Sequence, residues 1–99
     1  MNVITGDELR KILKQKDKNN HYQFIDVSIP REYKGYHIDC FENIPLKKIR
    51  KQADQLDKDK ETIIICQSGH ISKEACRRLQ KLGFKDLTIV KGGISLWRD

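Results

Sequence analysis

The 99-residue sequence contains no CxxC pair, and its three cysteines, Cys40, Cys66 and Cys76, are an odd number. Those features argue against a secreted disulfide framework and a zinc ribbon, and favour a reducing compartment. Long hydrophobic runs are also missing: the longest obvious one, Ile63 to Cys66, is far too short to span a bilayer. No basic, apolar, small-residue leader opens the sequence, so the expected location is cytoplasmic, with no membrane partner. The net charge is +6, yet there is no dense basic block beside an aromatic platform. Lysines and arginines are interleaved with Asp and Glu through 7–18, 47–61 and 73–86, as on solvated helix surfaces. Specific nucleic-acid binding is not expected. Internal repeats, low-complexity tracts and a nucleotide fingerprint around Gly92-Gly93 are absent too.

What remains is 37% hydrophobic and 34% charged residues, enough isoleucine and leucine for one core without disulfide or metal staples. The length predicts a single domain over 1–99. Thr5-Gly6-Asp7-Glu8 has capping-box spacing and predicts a helix over about 5–16, followed by a polar loop from Lys16 to Asn20. Tyr22 to Val27 reads as a strand, ended by Asp26 and Ser28, and Pro30 opens a short helix that Gly35 stops. Phe41 to Ile44 suits a short strand, and Pro45 opens a helix with Leu46, Ile49, Ala53 and Leu56 on one face. A strand ending at Cys66, an amphipathic helix from Ser72 to Leu82, a strand from Leu87 to Val90 and a closing helical segment from Ile94 to Trp97 complete the order. Alternating strands and helices predict an α/β fold with a mostly parallel central sheet covered on both faces.

Cys66 stands where that architecture places ligands, beyond the carboxyl end of a parallel strand. A buried thiol that serves as a small apolar side chain is the ordinary alternative. Gly69 allows a tight turn around the sulfur, and successive amides of Gln67 to Ser72 can form a nest that favours a sulfur anion. Ser72 has the chemistry of a helix cap. Cys76 shares an apolar helical face with Ala75, Leu79 and Leu82 and reads as core. Cys40, in a turn before a strand, is either an accessible sulfur acceptor or disulfide former, or an incidental thiol. A metal site drawn from His37, Cys40, Cys66 and His70 would need a reactive loop and a distant turn to converge, so no metal is assigned.

Ile25-Asp26-Val27, Glu32-Tyr33, His37-Ile38 and Asn43-Ile44-Pro45-Leu46 together resemble the first signature of the single-domain rhodanese-like, or thiosulfate-type, sulfurtransferases. Cys66-Gln67-Ser68-Gly69 with Ser72 resembles their active-site loop, and Leu82-Gly83-Phe84, Gly92-Gly93-Ile94 and Trp97 resemble their closing signature. The resemblance covers most of the chain. It implies that Cys66 is the catalytic nucleophile, which takes a sulfane sulfur from thiosulfate or a thiol persulfide and passes it to a thiol or cyanide-like acceptor. Gln67, Ser68, Gly69, His70 and Ile71 would form the substrate cradle, Ser72 and Asp26 would support the loop, and no cofactor or metal is implied.

Two positions depart from the family pattern. Ile71 stands where active relatives often have arginine or threonine, and Ser28 where an arginine often follows Ile-Asp-Val. The nucleophile remains, while recognition of a small oxyanion loses a cation or hydroxyl. A persulfide on a small thiol or on a partner protein is therefore a plausible donor beside thiosulfate. A cysteine-based phosphatase or arsenate reductase would normally need an arginine closing a slightly longer loop. A non-catalytic binding or redox-sensing module would keep the fold and an oxidisable thiol without sulfur flux.

Overall fold

The runs of isoleucine and valine that alternate with amphipathic stretches form a five-stranded parallel sheet in a computed structural model that describes residues 1–97. In chain order the elements are β1 (Asn2–Ile4), α1 (Gly6–Leu13), α2 (Lys18–His21), β2 (Tyr22–Asp26), α3 (Pro30–Gly35) and β3 (Glu42–Asn43). Then come α4 (Ile49–Gln52), β4 (Glu61–Ile65), α5 (His70–Lys81), β5 (Leu87–Val90) and α6 (Gly93–Trp97). The sheet order is β1-β5-β4-β2-β3 with every pair parallel. β4 lies at its centre, with Ile64 opposite Ile25 on one side and Ile89 on the other.

Because side chains alternate across a strand, successive residues of β4 feed two different cores. Ile64 and Cys66 join Ile25, Val27, Ala75, Cys76 and Leu79 beneath α4 and α5. Ile63 and Ile65 join Leu9, Phe24, Val90 and Ile94 beneath α1 and α6. Burial on both faces explains why β4 reads as an unbroken apolar run. Truncating Ile64, fully buried, to alanine would cost about 2–5 kcal/mol.

Several boundaries differ from the sequence reading. The capping box forms, with the Glu8 amide donating to Thr5 Oγ1 at 3.1 Å and the Thr5 amide donating to Glu8 Oε1 at 3.0 Å. The helix nevertheless stops at Leu13, since Lys14, Gln15 and Lys16 are exposed. Part of the expected Lys16–Asn20 loop is the helical turn α2, where the Asn20 amide donates to the Asp17 carbonyl and His21 pairs with Asp17 at 3.0 Å. The helix expected after Pro45 is broken into a 3-10 turn over Leu46–Lys48, α4, and a second 3-10 turn over Ala53–Gln55. β3 has two residues, fewer than Phe41 to Ile44. Cys66 lies just past β4, and α5 begins at His70 instead of Ser72. β1 was not expected at all; it pairs with β5, Val3 opposite Ile89.

Candidate active site

The exit of β4 and the start of α5 build the site around one sulfur. Gly69 is the N-cap of α5 and has φ of 94°, a conformation that lets the chain turn back over Cys66. Gly69 has no side chain with which to cap this helix. Instead, the Gly69 amide donates to Cys66 Sγ at 3.1 Å and the Ser72 amide at 3.4 Å. The sulfur thus occupies the place of a capping oxygen, at the positive end of a helix twelve residues long. Charge on that sulfur is favoured by two fixed dipoles that need no rearrangement.

The expected capping role of Ser72 is a correction. Ser72 is fully buried inside the first turn, and its hydroxyl donates to the Gly69 carbonyl at 2.9 Å. The reason is geometric: the turn at Gly69 starts the helix early, so Ser72 reaches the third helical position and ties the loop back on itself.

The closing Gly-Gly segment contributes more than its sequence suggested. Ile94 and Ser95 amides at the start of α6 donate to the Cys66 and Gln67 carbonyls, both at 2.9 Å. Gly93 is pressed against the same carbonyls. A Cβ there would sit 2.2 Å from the Cys66 oxygen and 2.9 Å from that of Gln67, at a φ of 59°. These backbone groups were missed as site residues. Gly92-Gly93-Ile94 was their signal, read as a turn in the closing signature and not as support for the Cys66 loop.

The other candidates divide by position. Gln67 is half-buried, and its Nε2 is buried with no hydrogen-bond partner among the described residues. Ser68, Gly69 and His70 border a cleft of about 370 Å³ with Lys73 and Lys91. Ile71, 37% exposed, borders a different groove with Ile29 and Leu46. Asp26 lies in register with Ile65, one strand away, and makes no hydrogen bond to the loop among the described residues. It organises the β2 exit, accepting the Ser28 amide at 2.9 Å on Oδ1, while Asn43 Nδ2 donates to the Asp26 and Ser28 carbonyls at 3.0 and 2.9 Å. Burial raises its carboxyl above the ordinary range, although the Ser28 hydroxyl and amide and His37 pull the other way.

Cys40 is half-buried and packs on the cluster beneath α1, on the opposite face of the sheet from Cys66. Burial pushes its thiol up, against Lys18. Cys76 is core, and burial pushes its thiol up to about 11. His37 donates from Nδ1 to the Tyr33 carbonyl, 2.8 Å away, and stacks on the Tyr33 ring at 3.9 Å. Trp97 packs against the α1-side cluster and lies beneath the Arg10 guanidinium. Among the described residues no group of three His, Cys, Asp or Glu could hold a metal, and no helix is long and apolar enough to cross a membrane.

A family model described as "Rhodanese-like domain" matches residues 5–99. The chain belongs to the rhodanese-like domain family. This rhodanese-like chain is 38% identical over 85 residues to the "Putative sulfur carrier protein YrkF" of Bacillus subtilis, covering 85% of this chain and 46% of that protein. It therefore spans about half of that relative's length. It is 35% identical to the "Putative sulfurtransferase YtwF" of the same organism, over 86% of this chain and 82% of the relative. In three dimensions it is similar to the "Rhodanese-like Domain Protein from Staphylococcus aureus", with a TM-score of 0.88 and 28% identity over 98% of this chain and 91% of that one.

Proposed function

We propose that the protein is a sulfurtransferase or persulfide carrier whose covalent sulfur-bearing residue is Cys66. The observation that carries this reading is the pair of amide donors, Gly69 and Ser72, aimed at its Sγ. The names of the relatives, a sulfur carrier and a sulfurtransferase, support it. In the first half-reaction the Cys66 thiolate attacks the outer sulfur of thiosulfate or of a thiol persulfide. The sulfur–sulfur bond of the donor breaks, and sulfite or a thiolate leaves with the bonding pair. In the second, a thiol or cyanide-like acceptor attacks the outer sulfur of the Cys66 persulfide, and Cys66 returns as thiolate. Each step moves one sulfane sulfur without net oxidation.

Loop amides serve both steps, since negative charge resides on sulfur at the start, in the persulfide and at the end. Gln67, Ser68, Gly69, His70 and Ile71 surround the arriving donor. Ser72 and the α6 amides keep the loop in shape, while Asp26 orders the neighbouring β2 exit. The three cysteines are free thiols, which supports chemistry in a reducing compartment, the cytoplasm. Mass spectrometry of fully reduced protein, incubated separately with thiosulfate and with a small-thiol persulfide, tests the reading. One added sulfur atom on Cys66 is expected with at least one donor. An unmodified Cys66 with both would overturn the proposal and favour a rhodanese-like binding module.

A further inference from the structure

The side of the loop away from His70 carries a groove of about 590 Å³, larger than the cleft at His70 and Lys73. Three separate segments meet there: Ile29 and Pro30 after β2, Pro45 and Leu46 after β3, and Ile71 from the first turn of α5. Val27 also lines it, and its amide donates to the carbonyl of Ile65, the residue before Cys66, at 2.9 Å, so the groove lies beside the exit of β4. Ile29 is 44% exposed and Ile71 37%, two of the five large hydrophobic side chains that the described residues leave open to water. The exposed part of an aliphatic side chain forgoes burial that a ligand can supply. Lys47 and Lys48 complete the lining; both are exposed, and neither has a carboxylate partner among the described residues.

An apolar trough with two unpaired ammonium groups is complementary to one kind of molecule: an apolar body bearing an anionic group. A free inorganic oxyanion would leave the apolar lining unused. We infer that this groove holds the organic part of the sulfur donor, a small apolar thiol persulfide carrying a carboxylate or similar anion for Lys47 and Lys48. The inference rests on the sulfur-transfer reading above and gives Ile71 a task in it. With R as that organic part, the Cys66 thiolate attacks the outer sulfur of R–S–SH. The sulfur–sulfur bond of the donor breaks, the thiolate R–S⁻ keeps the electron pair, and Cys66–S–SH retains the proton. No oxidant or reductant is consumed. Ile71, in place of a cation, then selects the donor by its apolar body.

Two measurements on the full chain test this separately from the chemistry. Phenylbutanoate, an apolar anion with no sulfur, should shift the methyl NMR signals of Ile29, Leu46 and Ile71, whereas acetate should leave them in place. Ile29→Ser, at an exposed position, should lower the ratio of kcat/KM for benzenethiosulfonate to that for thiosulfate about tenfold. Methyl signals unmoved by phenylbutanoate, or shifts confined to residues beside His70 and Lys73, would overturn the assignment. So would an unchanged donor ratio, or binding of an acidic peptide in the groove where phenylbutanoate has no effect. If no donor loads Cys66 but the groove methyls shift, sulfur transfer fails and the groove stands as a site for apolar anions.

Discussion

Cys66 and Cys76 are each 1% exposed and lie in the same buried cluster, yet their surroundings oppose each other. Cys76 sits within α5, where amides are committed to the helix, and burial raises its thiol to about 11 against the opposing pull of the N-terminal ammonium. Cys66 sits where a strand ends and a helix has not closed, so two amides are left to point at its sulfur. The difference teaches that burial does not set a cysteine's role. What matters is whether nearby backbone donors are already spent.

The contrast can be broken most completely at the sulfur. Cys66→Ser should abolish sulfur loading while Cys76→Ser retains it at the cost of about 1–3 kcal/mol for a buried hydroxyl; intact-mass analysis and thermal melts read both. Next in size is Gly93→Ala, whose Cβ would meet the Cys66 carbonyl at 2.2 Å. A stability loss of about 2–4 kcal/mol and a loading rate lowered about tenfold or more are expected, from denaturant melts and timed mass spectra. Alkylation sharpens the comparison without mutation. Iodoacetamide at about pH 8 should label Cys66 in the folded protein and leave Cys76 unlabelled until denaturant is added.

The smallest effect concerns Asp26, where burial also favours the protonated form. A carboxyl whose folded value is raised binds more protons folded than unfolded, so its stabilising contribution is full below the unfolded value and is lost as pH rises through the folded one. Melts should therefore show stability falling as pH climbs out of the ordinary aspartate range, and Asp26→Asn should flatten that slope. An identical slope in the variant would remove Asp26 from the account.

The parallel sheet and the reactive turn were legible because Ile63, Ile64 and Ile65 are buried on both faces and Cys66 follows them directly. Three other features were not, each for a physical reason. β1 is three residues long with Val3 exposed, so its pairing with β5 comes from contact across the chain and not from local pattern. The true start of α5 was hidden because its cap acceptor is a sulfur preceding the helix, not the hydroxyl of Ser72 that local rules favour. The groove was invisible because Ile29, Pro45 and Ile71 belong to three segments that only the parallel crossovers bring together. Ile71 could be read as a missing cation; that it has apolar company could not.

The bonds from α6 to the Cys66 and Gln67 carbonyls give the protein a clock as well as a clamp. Cys66 is synthesised well before Ile94 and Ser95, and until those residues exist the Cys66 and Gln67 carbonyls lack these two donors. A nascent chain thus carries the thiol without its finished mount. On the proposed function, sulfur should load only onto molecules in which α6 has docked, so that loading would report that this part of the fold is in place.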